Sequence, residues 1–110
     1  MHPEKVIRDN VKLLTDLPNI GPALARDLRT VGIDEPQQLR GCSALALYVR
    51  LCEQTGFEQD PCILDVMMSV VDFIEGADPK PWWYFSALRR ALLTRQPAGA
   101  MACPYLLPGQ

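Results

Sequence analysis

Residues 63–74 set the terms on which this chain can fold. Ile63, Leu64, Val66, Met67, Val70, Val71, Phe73 and Ile74 recur at helical spacing and leave a polar stripe of only Asp65, Ser69 and Asp72. A helix this apolar must be covered on most sides by other elements. Asp60 and Pro61 supply its start, an oxygen-bearing cap followed by a residue whose missing N–H costs nothing in the first turn. The spacing therefore predicts a central helix over 61–75, with Asp65, Ser69 and Asp72 facing solvent.

The rest of the chain supplies helices to surround it. Sustained apolar–polar alternation rich in β-branched or aromatic residues is nearly absent, so the fold class is all-α. Val6, Ile7, Val11 and Leu14 predict a first amphipathic helix over 4–15, ending near Asp16 because Pro18 disfavours helical geometry in Leu17. Pro22 opens a second helix with Leu24, Ala25, Leu28 and Val31 on its buried face and Gly32 at its end. Asp34 caps a short third helix, with Leu39 inward and Gly41 closing it. Ser43 caps a fourth over 44–55, with Leu45, Tyr48, Leu51 and Cys52 inward and Gly56 as its stop. Asp78 and Pro79 begin a last helix through Trp82, Trp83, Tyr84, Phe85, Leu88, Leu92 and Leu93. The expectation is a compact five- or six-helix domain over 1–96 and a flexible Pro- and Gly-bearing tail over 97–110.

Composition narrows the functional classes. No run reaches the roughly 18 uncharged apolar residues of a membrane span, and Met1-His2-Pro3-Glu4-Lys5 lacks the order of a signal peptide, which points to the cytoplasm. Cys42, Cys52, Cys62 and Cys103 form no Cys-x-x-Cys pair and His2 stands alone, so neither a metal site nor another cofactor is expected. The net charge of −2 divides unevenly: residues 41–78 carry one base against seven acids, whereas 79–110 carry four bases and no acid. An acidic middle repels phosphate, so a nucleic-acid surface belongs to the neutral first third or the basic end.

The first third holds the element best suited to that role, Leu17-Pro18-Asn19-Ile20-Gly21-Pro22. Gly21 reads as the residue of positive φ and close backbone approach, and Pro22 as the first residue of the following helix. Amides around Ile20 to Ala23 then point outward where the helix dipole favours an anion.

The stretch LPNIGPALARDLRTVGI, residues 17–33, resembles the helix-hairpin-helix module of the SAM/helix-hairpin-helix kind. Together with LYVRLCEQTG, DPCILDV and PWWY, it makes residues 13–90 similar to the small bacterial pathogenicity-locus proteins, a family described as DNA-binding helix-hairpin-helix proteins. A shorter similarity reaches the C-terminal domain of the competence regulator TfoX. The resemblance implies sequence-nonspecific binding of DNA backbone phosphate through Asn19, Ile20, Gly21 and Ala23, with Arg26 and Arg29 as side-chain contacts. Asn19 stands where the family pattern has glycine, and Ala23 and Asp27 stand where lysine is common.

Other constellations carry alternatives. Trp82-Trp83-Tyr84-Phe85 can stack on unpaired bases with Arg89 and Arg90 holding phosphates, or can close a core or a homodimer with one indole buried. Asp65 and Asp72, two turns apart on one face, have a spacing at which carboxylates could share a metal in a hydrolase, or form a solvated stripe. Cys52 and Cys62 fall on apolar faces that oppose thiolate formation. Motifs for nucleophilic, nucleotide-dependent or zinc-dependent catalysis are absent. The sequence thus reads as a DNA-binding protein that is not an enzyme, or as a protein-interaction or dimerisation module that keeps the hairpin as architecture.

Overall fold

The computed structural model describes residues 1–95. Among them are four α-helices, α1 (Pro22–Thr30), α2 (Ala44–Thr55), α3 (Pro61–Ile74) and α4 (Ser86–Arg95), five short 3-10 helices, and no strand. The expected tail over 97–110 and Cys103 lie outside the described residues. No helix among them is long and apolar enough to cross a membrane.

Local signals fix the limits of the two longest helices. The Ser43 hydroxyl accepts from the Ala46 amide at 3.2 Å, and Gly56 closes α2 in the left-handed region at φ 79°. The Asp60 carboxylate accepts from the Cys62 amide at 2.9 Å with Pro61 opening α3. α3 lies at the centre as its composition requires. Val66, Met67, Val70 and Phe73 join Leu14, Leu17, Ile20, Ala25, Leu28, Leu39, Leu47 and Leu51 in the main core. Its Leu64 packs with Tyr48 and Cys52 in a second cluster. Burying each large aliphatic side chain in these clusters contributes about 1.5–3 kcal/mol, before the entropy of ordering the chain is set against it.

The first expected helix does not form. Residues 4–15 instead hold the 3-10 turns Pro3–Lys5 and Arg8–Asn10 and the start of a third, Leu14–Asp16, with Ile7 and Leu13 in extended conformation between them. An isolated helix of this length is marginal, and here the segment makes stronger contacts by staying irregular. The Asp16 carboxylate accepts from the amides of Lys12 and Leu13 at 3.0 and 2.8 Å, a local alternative to helix bonding. Arg8 reaches the C-terminal end of α3, donates to the carbonyls of Phe73 and Ala77 at 2.5 Å, and lies 4.1 Å from the centre of the Phe73 ring. Ile7, expected inward, is 61% exposed, while Val6 and Val11 pack against the core.

Two further expectations are corrected. The short helix expected after Asp34 is the 3-10 turn Pro36–Leu39, begun at Glu35, with the Gln38 side chain accepting from the amides of Asp34 and Glu35. The last helix starts at Ser86 rather than Pro79, because Pro79 and Pro81 keep the approach extended and Trp82–Phe85 coils as a 3-10 turn. That turn and α4 lie across the face of α3 expected to meet solvent, so Asp65 and Ser69 are buried and only Asp72 remains partly open.

Candidate nucleic-acid interface

The turn before α1 is anchored from below. Leu17 and Ile20 are fully buried, Pro18 is buried between them, and the Leu17 amide bonds the Leu14 carbonyl at 3.1 Å. Between these anchors the chain must reverse, and Asn19 does so at φ 67°, the one non-glycine residue in the left-handed region among those described. Asparagine tolerates that region better than most residues, and its side chain adds two bonds glycine could not make. The amide nitrogen donates to Ser69 Oγ at 3.0 Å and to the Lys80 carbonyl at 2.8 Å, tying the turn to α3 and to the segment ahead of Trp82.

Gly21 behaves differently from its expected role. Its φ of −98° and ψ of −175° are extended backbone open to any residue, so the left-handed position belongs to Asn19. A Cβ at Gly21 would meet no heavy atom within 4 Å. What Gly21 lacks is a capping side chain. It is the N-cap of α1, and no side chain there accepts from the helix's first amides.

The donors can be followed one by one. The Ile20 amide bonds the Leu17 carbonyl at 3.3 Å, Pro22 has no N–H, and the Ala25 amide bonds the Gly21 carbonyl at 2.9 Å. The amides of Gly21, Ala23 and Leu24 meet no acceptor among the described residues. The outward set is therefore Gly21, Ala23 and Leu24, shifted from the expected run of 20–23. The carbonyls of Leu17 and Ile20 accept from the Met1 amine at 2.8 and 2.7 Å. Burial pushes that amine's pKa down. Arg26 and Arg29 are exposed one to two turns into α1. Asp27 sits between them, half-buried, and burial raises its carboxyl above the ordinary value while the Arg26 charge pulls the other way.

The remaining candidate groups are held by structure. Asp65 accepts from Ser86 Oγ at 2.7 Å and from Arg89 Nε at 3.0 Å, so Arg89 is not available to a phosphate in the way the sequence suggested. Asp72 pairs separately with Lys80 at 3.3 Å, so the two carboxylates do not converge. No group of three or more His, Cys, Asp or Glu side chains that could hold a metal is found among the described residues. Cys52 is buried, and burial followed by the neighbouring Asp60 pushes the Cys62 thiol up, away from reactivity.

The aromatic run divides in a way the sequence did not show. Phe85 is buried and meets Tyr84 edge to face at 5.2 Å, taking the core position expected of one indole. Trp82 and Trp83 are both exposed, at 38% and 64%. With Pro81 they line a cleft whose other residues are His2, Pro3, Glu4 and Asn19, which places the indoles beside the turn. The signal for this was indirect: two prolines ahead of an aromatic run make a helical start at Pro79 unfavourable.

A family model described as "Pathogenicity locus" matches residues 7–91. The mitomycin resistance protein McrB of Streptomyces lavendulae is 42% identical over 80 residues, covering 73% of this chain and 76% of the relative. No solved structure matches the chain.

Proposed function

The chain belongs to the pathogenicity locus family, and from that premise we propose that it is a sequence-nonspecific DNA-binding protein whose hairpin turn, preceded by 3-10 turns in place of the first helix of a helix-hairpin-helix, holds a backbone phosphate. The observation that carries the reading is the start of α1: the amides of Gly21, Ala23 and Leu24 face outward with no side chain to cap them. Three donors at the positive end of a helix form the usual chemistry for an anion, and an unhindered glycine lets it approach. Arg26 and Arg29, exposed on α1, are the side chains proposed to meet neighbouring phosphates. Contacts of this kind position a protein on nucleic acid without reading its sequence. We extend to this chain, within the proposal, the part in mitomycin resistance that the relative's name states for that protein.

Titration of labelled duplex DNA at rising salt tests the reading. Two or three phosphate contacts give a slope of roughly −2 to −3 in log K against log salt, and a dissociation constant on the order of 10⁻⁴–10⁻⁶ M at physiological salt. Gly21→Asp should abolish binding, because its carboxylate would cap the same amides and repel phosphate. Absence of wild-type binding at low ionic strength, or wild-type affinity in Gly21→Asp, would overturn it.

A second reading rests on the exposed apolar groups Trp83, Tyr84 and Leu88, which suit a contact with another protein or a second copy. Sedimentation of the chain as a monomer at high concentration counts against a second copy.

A further inference from the structure

We propose that the cleft beside the turn takes one unpaired nucleobase of a DNA strand whose phosphate sits at the start of α1. This rests on the phosphate-binding reading and adds a substrate class to it, single-stranded or locally opened DNA.

The chemistry of the cleft identifies its occupant. Pro3, Pro81, Trp82 and Trp83 give apolar surfaces, while His2, Glu4 and Asn19 add polar groups. Its volume of about 340 Å³ has room for a nucleobase together with its sugar. The lining contains one carboxylate and neither lysine nor arginine, so a phosphate is repelled from the cleft itself. The fitting ligand is an uncharged flat ring with polar edges.

Position supplies the second half of the argument. Asn19 lines the cleft and stands two residues before Gly21, at most about 7 Å of chain from the outward amides. The phosphate of one nucleotide and its base can thus be divided between the two places. Both N–H groups of the Asn19 side chain go to Ser69 and Lys80, so Asn19 is held as a fixed wall of the cleft. A base inside a duplex is stacked on both faces and cannot enter, whereas every unpaired base offers a face to an indole.

The chain has only two tryptophans, Trp82 and Trp83, so intrinsic fluorescence reports on the cleft directly. The full chain is titrated with an oligothymidine, with an abasic strand of equal length, and with a duplex, following fluorescence and the anisotropy of a label on the DNA. The expected result is quenching by oligothymidine alone, with affinity roughly five- to a hundredfold above that for the abasic strand. Trp83→Ala should erase that margin and Trp83→Phe should restore part of it; Trp83 is mostly exposed, so neither change disturbs the core. Equal affinity for oligothymidine and abasic strands, or a full margin in Trp83→Ala, overturns the base site and leaves phosphate binding intact. Failure of all three nucleic acids to bind overturns the phosphate reading as well. A self-associated chain whose tryptophan emission is unchanged by oligothymidine assigns the cleft to a second copy and overturns the proposal.

Discussion

α1 and α3 begin alike, each with a proline in its first turn, and differ in what stands before it. At α3 the Asp60 carboxylate turns back to accept the Cys62 amide, and one turn on, buried Asp65 is gripped by Ser86 and Arg89. At α1 the cap is a glycine, and the amides of Gly21, Ala23 and Leu24 find nothing within the described chain. A helix start that serves only the fold satisfies its own donors. One that leaves them facing water behind a glycine cap gives up only a few tenths of a kcal/mol relative to an Asp or Ser cap, and keeps the site open.

The comparison breaks most violently at Asp65. Asp65→Ala leaves the Arg89 guanidinium without its buried partner and should lower stability by about 3–5 kcal/mol in denaturant melts. Below its melting transition the variant should still bind DNA, because the loss falls on the α3–α4 side. Gly21→Asp sharpens the contrast from the other direction. It should hold stability or raise it by a few tenths of a kcal/mol, while binding disappears, since Gly21 is already extended and a Cβ there meets open space. Asp60→Ala should cost about 1 kcal/mol and leave binding unchanged.

The smallest effect concerns Asp27. Its folded carboxyl has a raised pKa, so folding favours the protonated form. That contribution is present below the unfolded pKa and is lost as pH rises through the folded one. Asp27→Asn should therefore melt slightly above wild type at pH 7, with the difference closing as pH falls through about 4, the ordinary range of the unfolded carboxyl. The same change should strengthen phosphate binding modestly at low salt.

Where the sequence could be read, the signals were local. Ser43, Gly56, Asp60 and Pro61 act within one turn of themselves, and the limits they predicted for α2 and α3 agree with the structure to within a residue. Residues 4–15 misled because apolar spacing describes what a helix would bury, whereas the conformation adopted is set by Arg8 meeting carbonyls 65 and 69 residues away. Asp65 misled for a related reason. Its burial depends on Ser86 and Arg89 arriving across α3, and the only hint was their spacing of three, which lets one helix face offer two donors to a single carboxylate. At the candidate interface the turn itself was legible, including the left-handed geometry that asparagine tolerates at Asn19. The positive φ expected at Gly21 was not, because Asn19 already reverses the chain and leaves Gly21 extended. The nearness of Trp82 to Asn19 follows from Asn19 bonding the Lys80 carbonyl, a tertiary contact with no pattern along the chain.

That contact has a kinetic side. The Asn19 side chain is held by partners 50 and 61 residues further along the chain. The bonds that steady the turn can therefore form only after α3 and the Pro79–Pro81 approach have docked, and loop closure over such spans belongs to the slow part of folding. Asn19→Ala is accordingly expected to speed unfolding more than it slows folding in stopped-flow measurements, the mark of a late-forming position. A peptide cut from residues 14–32 would contain every residue of the turn and its local bonds, but neither partner of the Asn19 side chain.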